Sequence, residues 1–112
     1  MSPVGAVDVH EQRDLDKAIG KLVLREMYEE DAWAELTIKV DQTQHYFMLR
    51  ADTQPGIDPD VELHEAIAQM VGAHRRARSD LTTAIYRYEK NPDGEWTMAG
   101  RFSYTPDPSP GE

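Results

Sequence analysis

The 112 residues carry 21 acidic side chains against 12 Lys and Arg, a net charge of −9, with 39% hydrophobic and 29% charged residues. That size and balance fit one domain with one core and leave little room for a deep enclosed active site. The acidity argues against nucleic acid or anionic membrane as a partner and favours a basic protein. The absence of cysteine excludes disulfides, thiolate catalysis and cysteine metal sites.

Met1 to Val7 contains Pro3 and Gly5 and is expected to be a flexible N-terminus. Met1 to Val9 lacks the basic start and apolar centre of a secretory leader, and no apolar run approaches bilayer length. A cytoplasmic location is the expectation. A helical pattern begins at about Asp8, with Leu15, Ala18, Ile19, Leu22, Val23 and Met27 on one face. Gly20 weakens the middle of this helix by about 1 kcal/mol relative to alanine, unless another element packs closely there. Glu29-Glu30-Asp31 opposes the negative end of the helix dipole, so either the helix stops before it or the cluster serves as an acidic contact patch.

Trp33 to Val40 alternates, with Ala34, Leu36, Ile38 and Val40 on one side and Trp33, Glu35, Thr37 and Lys39 on the other. Asp41 to Gln44 is a polar link, and His45 to Arg50 resumes as a second strand whose buried face is open. Ala51 to Ile57, with Pro55 and Gly56, reads as an ordered loop or a short further strand. Asp58-Pro59 opens the second helix, with Asp58 as its cap and Asp60 in its first turn. Leu63, Ala66, Ile67, Met70, Val71 and His74 share its buried face, and Arg75, Arg76 and Arg78 suit its C-terminal end.

Two alternating runs follow, Leu81 to Glu89 and Glu95 to Tyr104, joined by the turn Asn91-Pro92-Asp93-Gly94. The aromatic faces of both runs are expected to pack against the helices. Gly100 suggests a bulge or a close approach. Residues 105–112, with three prolines, are expected to be a flexible tail beyond a single domain spanning 8–104. The order helix, hairpin, helix, hairpin predicts an α+β fold. An antiparallel sheet of about four strands carries both helices on one face, leaving a wet opposite face with Glu35, Thr37, Lys39, Arg101 and Ser103.

Chemical motifs are sparse. His10, His45, His64 and His74 have no metal-site spacing, and no serine lies in G-x-S-x-G. There is no P-loop and no G-x-G-x-x-G. Neither a metal nor a cofactor is expected, and no catalytic residue is assigned.

Trp33 at the head of an alternating strand, the segment Asp60-Val61-Glu62-Leu63-His64-Glu65-Ala66-Ile67, and Gly94-Glu95-Trp96 running to Arg101-Phe102-Ser103-Tyr104 form a familiar layout. Over most of Asp14 to Tyr104 the chain resembles the YezG-like family of small acidic antitoxin and immunity proteins. It shows one clear strand fewer before the second helix than that family's pattern. The resemblance implies a non-catalytic α+β domain that binds the catalytic domain of a bacterial toxin, often a nuclease.

The expected function is therefore an acidic immunity protein that occludes the basic active site of its cognate toxin. Glu29, Glu30, Asp31, Trp33, Glu35, Asp52, Asp58 and Asp60 are the candidate contacts, with Trp33 as aromatic anchor. A monomer is expected, with a dimer as the alternative. Two other readings compete: a small acidic secretion chaperone, which would be dimeric, and a small enzyme or ligand-binding domain with Tyr86, Tyr88, His45 or His74 in a pocket.

Overall fold

The computed structural model describes residues 7–105. The flexible end expected over residues 1–7 lies outside these except for Val7, and the expected tail lies outside except for Thr105. Helix α1 (Val9–Arg25) opens on Asp8, whose Oδ2 accepts from the N–H of His10 at 3.0 Å and of Glu11 at 3.3 Å. It ends before the acidic cluster, so no carboxylate of that cluster sits on its dipole.

Three strands follow: β1 (Trp33–Val40), β2 (His45–Ala51) and β3 (Gln54–Ile57). Then come helix α2 (Val61–Ala77), β4 (Leu81–Lys90) and β5 (Trp96–Tyr104). The sheet has five antiparallel strands in the order β3-β2-β1-β4-β5, so β3 is one strand beyond the expected two hairpins. The expected hairpins β1–β2 and β4–β5 both form, and β1 against β4 joins them.

Both helices cover one face. Ala34, Leu36 and Ile38 of β1, Leu49 and Ala51 of β2, and Ala84, Tyr86 and Tyr88 of β4 are buried against Ile19 and Val23 of α1 and the expected apolar face of α2. The open question about β2 is resolved by register. Leu36 faces Leu49, and Ile38 faces Phe47, so Tyr46 and Met48 fall on the other side and are exposed.

Three local expectations are corrected. The N-cap of α2 is Asp60, not Asp58, and its carboxylate makes no cap bond because it turns to Arg25 at 2.8 Å. The register shift in β4–β5 lies between Leu81 and Thr83, not at Gly100. At Gly100 a Cβ would sit 3.3 Å from the Phe102 ring, which leans over the glycine. The aromatic face of β5 is only half covered: Trp96 and Phe102 are partly buried, whereas Met98 and Tyr104 are exposed. β5 is an edge strand and overhangs α1.

The β4–β5 turn has the expected chemistry. Gly94 adopts φ +90°, a region that suits glycine, and its N–H donates to the Asn91 carbonyl at 2.9 Å. Among the described residues no helix is long and apolar enough to cross a membrane.

Candidate functional site

Glu29, Glu30, Asp31 and Asp52 gather at one end of the sheet, where α1 stops, β1 starts and β2 turns into β3. Asp31 organises that end from inside. It is fully buried, and its carboxylate accepts four hydrogen bonds. Oδ2 takes the N–H of Tyr28 at 2.8 Å and the side-chain amide of Gln54 at 2.7 Å. Oδ1 takes the N–H and hydroxyl of Thr53 at 2.8 and 2.6 Å. Burial pushes the carboxyl up, but the bonds from Thr53, Tyr28 and Gln54 outweigh it and hold its pKa at about 2.

Further ties close the same knot. The Gln54 amide also donates to the Glu26 carbonyl at 3.1 Å, and Lys90 Nζ donates to the Glu29 carbonyl at 2.8 Å. Asp52 Oδ2 accepts from the Ala32 N–H at 3.3 Å, and the Asp52 N–H donates to the Trp33 carbonyl at 3.0 Å. The loop between α1 and β1 is thus fastened to the β2–β3 turn and to the end of β4.

This geometry sorts the candidates. Glu29, Glu30 and Asp52 are exposed at this end, and Asp58 and Asp60 are exposed in the link to α2. Asp60 is partly neutralised by Arg25, which also lies 3.4 Å from Glu62. Asp31 leaves the contact set, because a buried carboxylate with its lone pairs spent inside has nothing to offer a partner.

Trp33 and Glu35 lie elsewhere, on the open sheet face. Glu35 faces Arg50 and Arg87 across its two neighbours, with contacts of 2.9 and 3.7 Å. The Arg87 guanidinium sits 4.4 Å from the centre of the Trp33 ring, and Arg50 sits 5.7 Å away. The open face therefore carries Lys39, Arg50, Arg87 and Arg101 against Glu35 and Glu89, a positive surplus within an acidic protein. Trp33 is half-buried beneath its arginines and is not a free anchor.

The exposed aromatic of the acidic end is Tyr28, 59% exposed beside Glu29 and Glu30. Sequence reasoning passed over it. Its signal was a large aromatic just past the last apolar position of α1, with no periodic partner and an acid run directly after it.

A second polar arrangement lies between the helices and the sheet. Ser79 Oγ is 2.7 Å from His74 Nδ1, and His74 Nε2 is 2.6 Å from Gln12 Oε1. The Gln12 amide donates to Asp16 Oδ1 at 2.7 Å, and the Tyr86 hydroxyl donates to the same oxygen at 2.6 Å. Since Gln12 Oε1 can only accept, His74 carries its proton on Nε2 and receives the Ser79 hydroxyl on Nδ1. Burial lowers the His74 pKa, with Asp16 and Glu11 opposing. Burial and the Asp16 bond raise that of Tyr86.

A serine beside a histidine is also the start of a nucleophile and its base. Here the pair sits at the carbonyl end of α2, where an oxyanion is disfavoured. The N–H groups of Arg78 and Ser79 are spent on the carbonyls of Arg75 and His74. What the arrangement does is tie α1, the end of α2 and β4 together through buried polar groups.

An apolar groove of about 510 Å³ runs between α1 and β5, with Leu24, Gly20, Tyr88, Trp96 and Met98 in its walls and Arg13 and Lys17 on its rim. The Tyr88 hydroxyl, buried beside Gly20, has no hydrogen-bond partner among the described residues. Among the described residues no group of three or more His, Asp or Glu is placed to hold a metal ion. No protein-family model matches the chain, and no curated protein sequence matches it.

Proposed function

We infer that the chain is a non-catalytic, cytoplasmic immunity-type protein that captures a basic toxin domain, such as a nuclease, on the acidic end of its sheet. One observation carries this reading: the buried Asp31 knot, which fixes an irregular loop in one shape. That loop displays Glu29 and Glu30 around Tyr28 with Asp52 alongside. A preordered loop loses little entropy on docking, and its acids steer a basic partner toward it. Tyr28 is the anchor of the surface and the acids are its rim. Asp58 and Asp60 extend the rim.

The test takes as partner any basic toxin domain that an adjacent gene encodes. Co-expression of the wild-type chain is expected to rescue growth. The double variant Glu29→Lys, Glu30→Lys is expected to fold normally, to bind more weakly by calorimetry and to lose rescue. Unchanged affinity would remove this surface from the reading.

A secretion chaperone is the second reading, favoured by the apolar groove between α1 and β5. It predicts that Trp96→Ala weakens capture of an extended client peptide while the Glu29 and Glu30 reversals do not.

A further inference from the structure

The two edges of the sheet differ. β3 is four residues long and contains Pro55, which withholds a donor. β5 runs for nine residues with no proline and with one charge, Arg101. A long bare edge of that kind is a template for a further strand. The side of β5 that meets β4 is marked at both ends: the Glu95 carbonyl accepts from Asn91, and the Thr105 N–H donates to Asp80. Antiparallel alternation then turns the N–H and C=O groups of Trp96, Met98, Gly100, Phe102 and Tyr104 outward.

We propose that a second copy of the chain occupies this edge, paired antiparallel through β5 about a two-fold axis at Gly100. The strand is chemically symmetric about that residue: Trp96 matches Tyr104, Thr97 matches Ser103 and Met98 matches Phe102. In the two-fold register each residue faces its match. Apolar and aromatic side chains meet on the helix side, hydroxyls meet on the other, and Arg101 faces Ala99 instead of its own copy. Every outward-turned residue faces another outward-turned residue, so no backbone donor or acceptor is misdirected.

Coverage and charge point to the same occupant. Met98 and Tyr104, 43% and 47% exposed, are the large side chains on β5 that α1 leaves bare, and both enter facing pairs. The β4–β5 turn brings Asp93 and Glu95 to one end of the strand. The end of α2, with Arg76 and Arg78, lies at the other, where the rings of His74 and Tyr104 are 6.4 Å apart, while Arg75 turns away to the Asp41 and Gln44 carbonyls. Antiparallel pairing sets the acidic end of each copy beside the arginine end of the other.

Sedimentation equilibrium on the full chain is expected to give the mass of two chains. Gly100→Pro removes an outward N–H at the axis, and Met98→Lys places a charge in the pairing face. Each is expected to give a monomer with an unchanged circular dichroism spectrum. If Gly100→Pro fails to fold, Met98→Lys decides. Because the chain has no cysteine, Gly100→Cys reads the register once the Phe102 ring, 3.3 Å from the new Cβ, gives way by a few tenths of an ångström, and an unchanged circular dichroism spectrum checks that it has. Cα atoms about 5.5 Å apart in a hydrogen-bonded pair are within disulfide reach. Mild oxidation is expected to link Gly100→Cys into a covalent dimer and to leave Lys39→Cys, on the central strand β1, unlinked. A wild-type chain that stays monomeric throughout the micromolar range, with its edge free for a foreign strand, overturns the proposal. A dimer untouched by Met98→Lys overturns it as well.

Discussion

Asp31 Oδ1 accepts twice from Thr53, from its backbone N–H at 2.8 Å and from its hydroxyl at 2.6 Å. The pair is 22 residues apart in the chain, so one carboxylate fastens two loops that sequence keeps separate. Asp31→Ala leaves the Thr53 and Tyr28 amides without partners and is expected to cost about 3 kcal/mol, read by urea denaturation. The pH dependence has a definite sign. The folded carboxyl titrates near 2 and the unfolded one near 3.8, so its contribution is complete above pH 4 and drains away as pH falls toward 2. Asp31→Asn should show a flatter acid limb than the wild type.

His74 behaves in a parallel way at milder pH. Burial holds it below its ordinary value of 6.5, so the unfolded chain binds a proton more readily than the folded one. Its contribution is present above pH 6.5 and shrinks as pH falls below that value. His74→Gln is expected to be less stable than the wild type at pH 7, and the gap should narrow in thermal melts at lower pH.

Tyr28 and Trp33 should separate cleanly. Tyr28→Ala removes an exposed ring and is expected to change stability by less than about 0.5 kcal/mol, yet to weaken toxin binding by about 2 kcal/mol, roughly thirtyfold. Trp33→Ala removes the ring under Arg87 and should lower stability while leaving affinity within about twofold. Calorimetry and denaturant melts on the same samples decide between the two roles.

Gly20 is free to become alanine. A Cβ there would lie 3.6 Å from the Tyr88 ring, an ordinary contact. Gly20→Ala is therefore expected to stabilise the protein by up to about 1 kcal/mol, seen as a higher midpoint in urea.

Much of this architecture was legible from periodicity. The buried faces of α1 and α2 follow from three- and four-residue spacing, and the turn before β5 follows from Asn91-Pro92-Asp93-Gly94. What was not legible depends on distant neighbours. β3 was legible only as one of two readings of Ala51 to Ile57, an ordered loop or a short further strand, because Pro55 and Gly56 argue against a strand wherever it is not an edge. Alternation placed Met98 and Tyr104 on the helix side, but it carries no information about which strand lies beyond the reach of α1. Glu29, Glu30 and Asp31 look alike in sequence, and only Thr53 and Gln54, brought over by β2 and β3, single out the third as internal. Trp33 was legible as an aromatic among acids, while the arginines that cover it come from β2 and β4.

The strand order also bears on synthesis. β1 receives its second neighbour only when β4 emerges, since Leu36 pairs with both Leu49 and Tyr86. A nascent chain leaving the ribosome completes the β1–β2 hairpin early, then waits some forty residues with one side of β1 bare, an interval estimated at roughly two to eight seconds. During that interval the half-made sheet offers Ala34, Leu36 and Ile38 to any extended polypeptide nearby, which makes rapid translation through α2 a safeguard against misassembly.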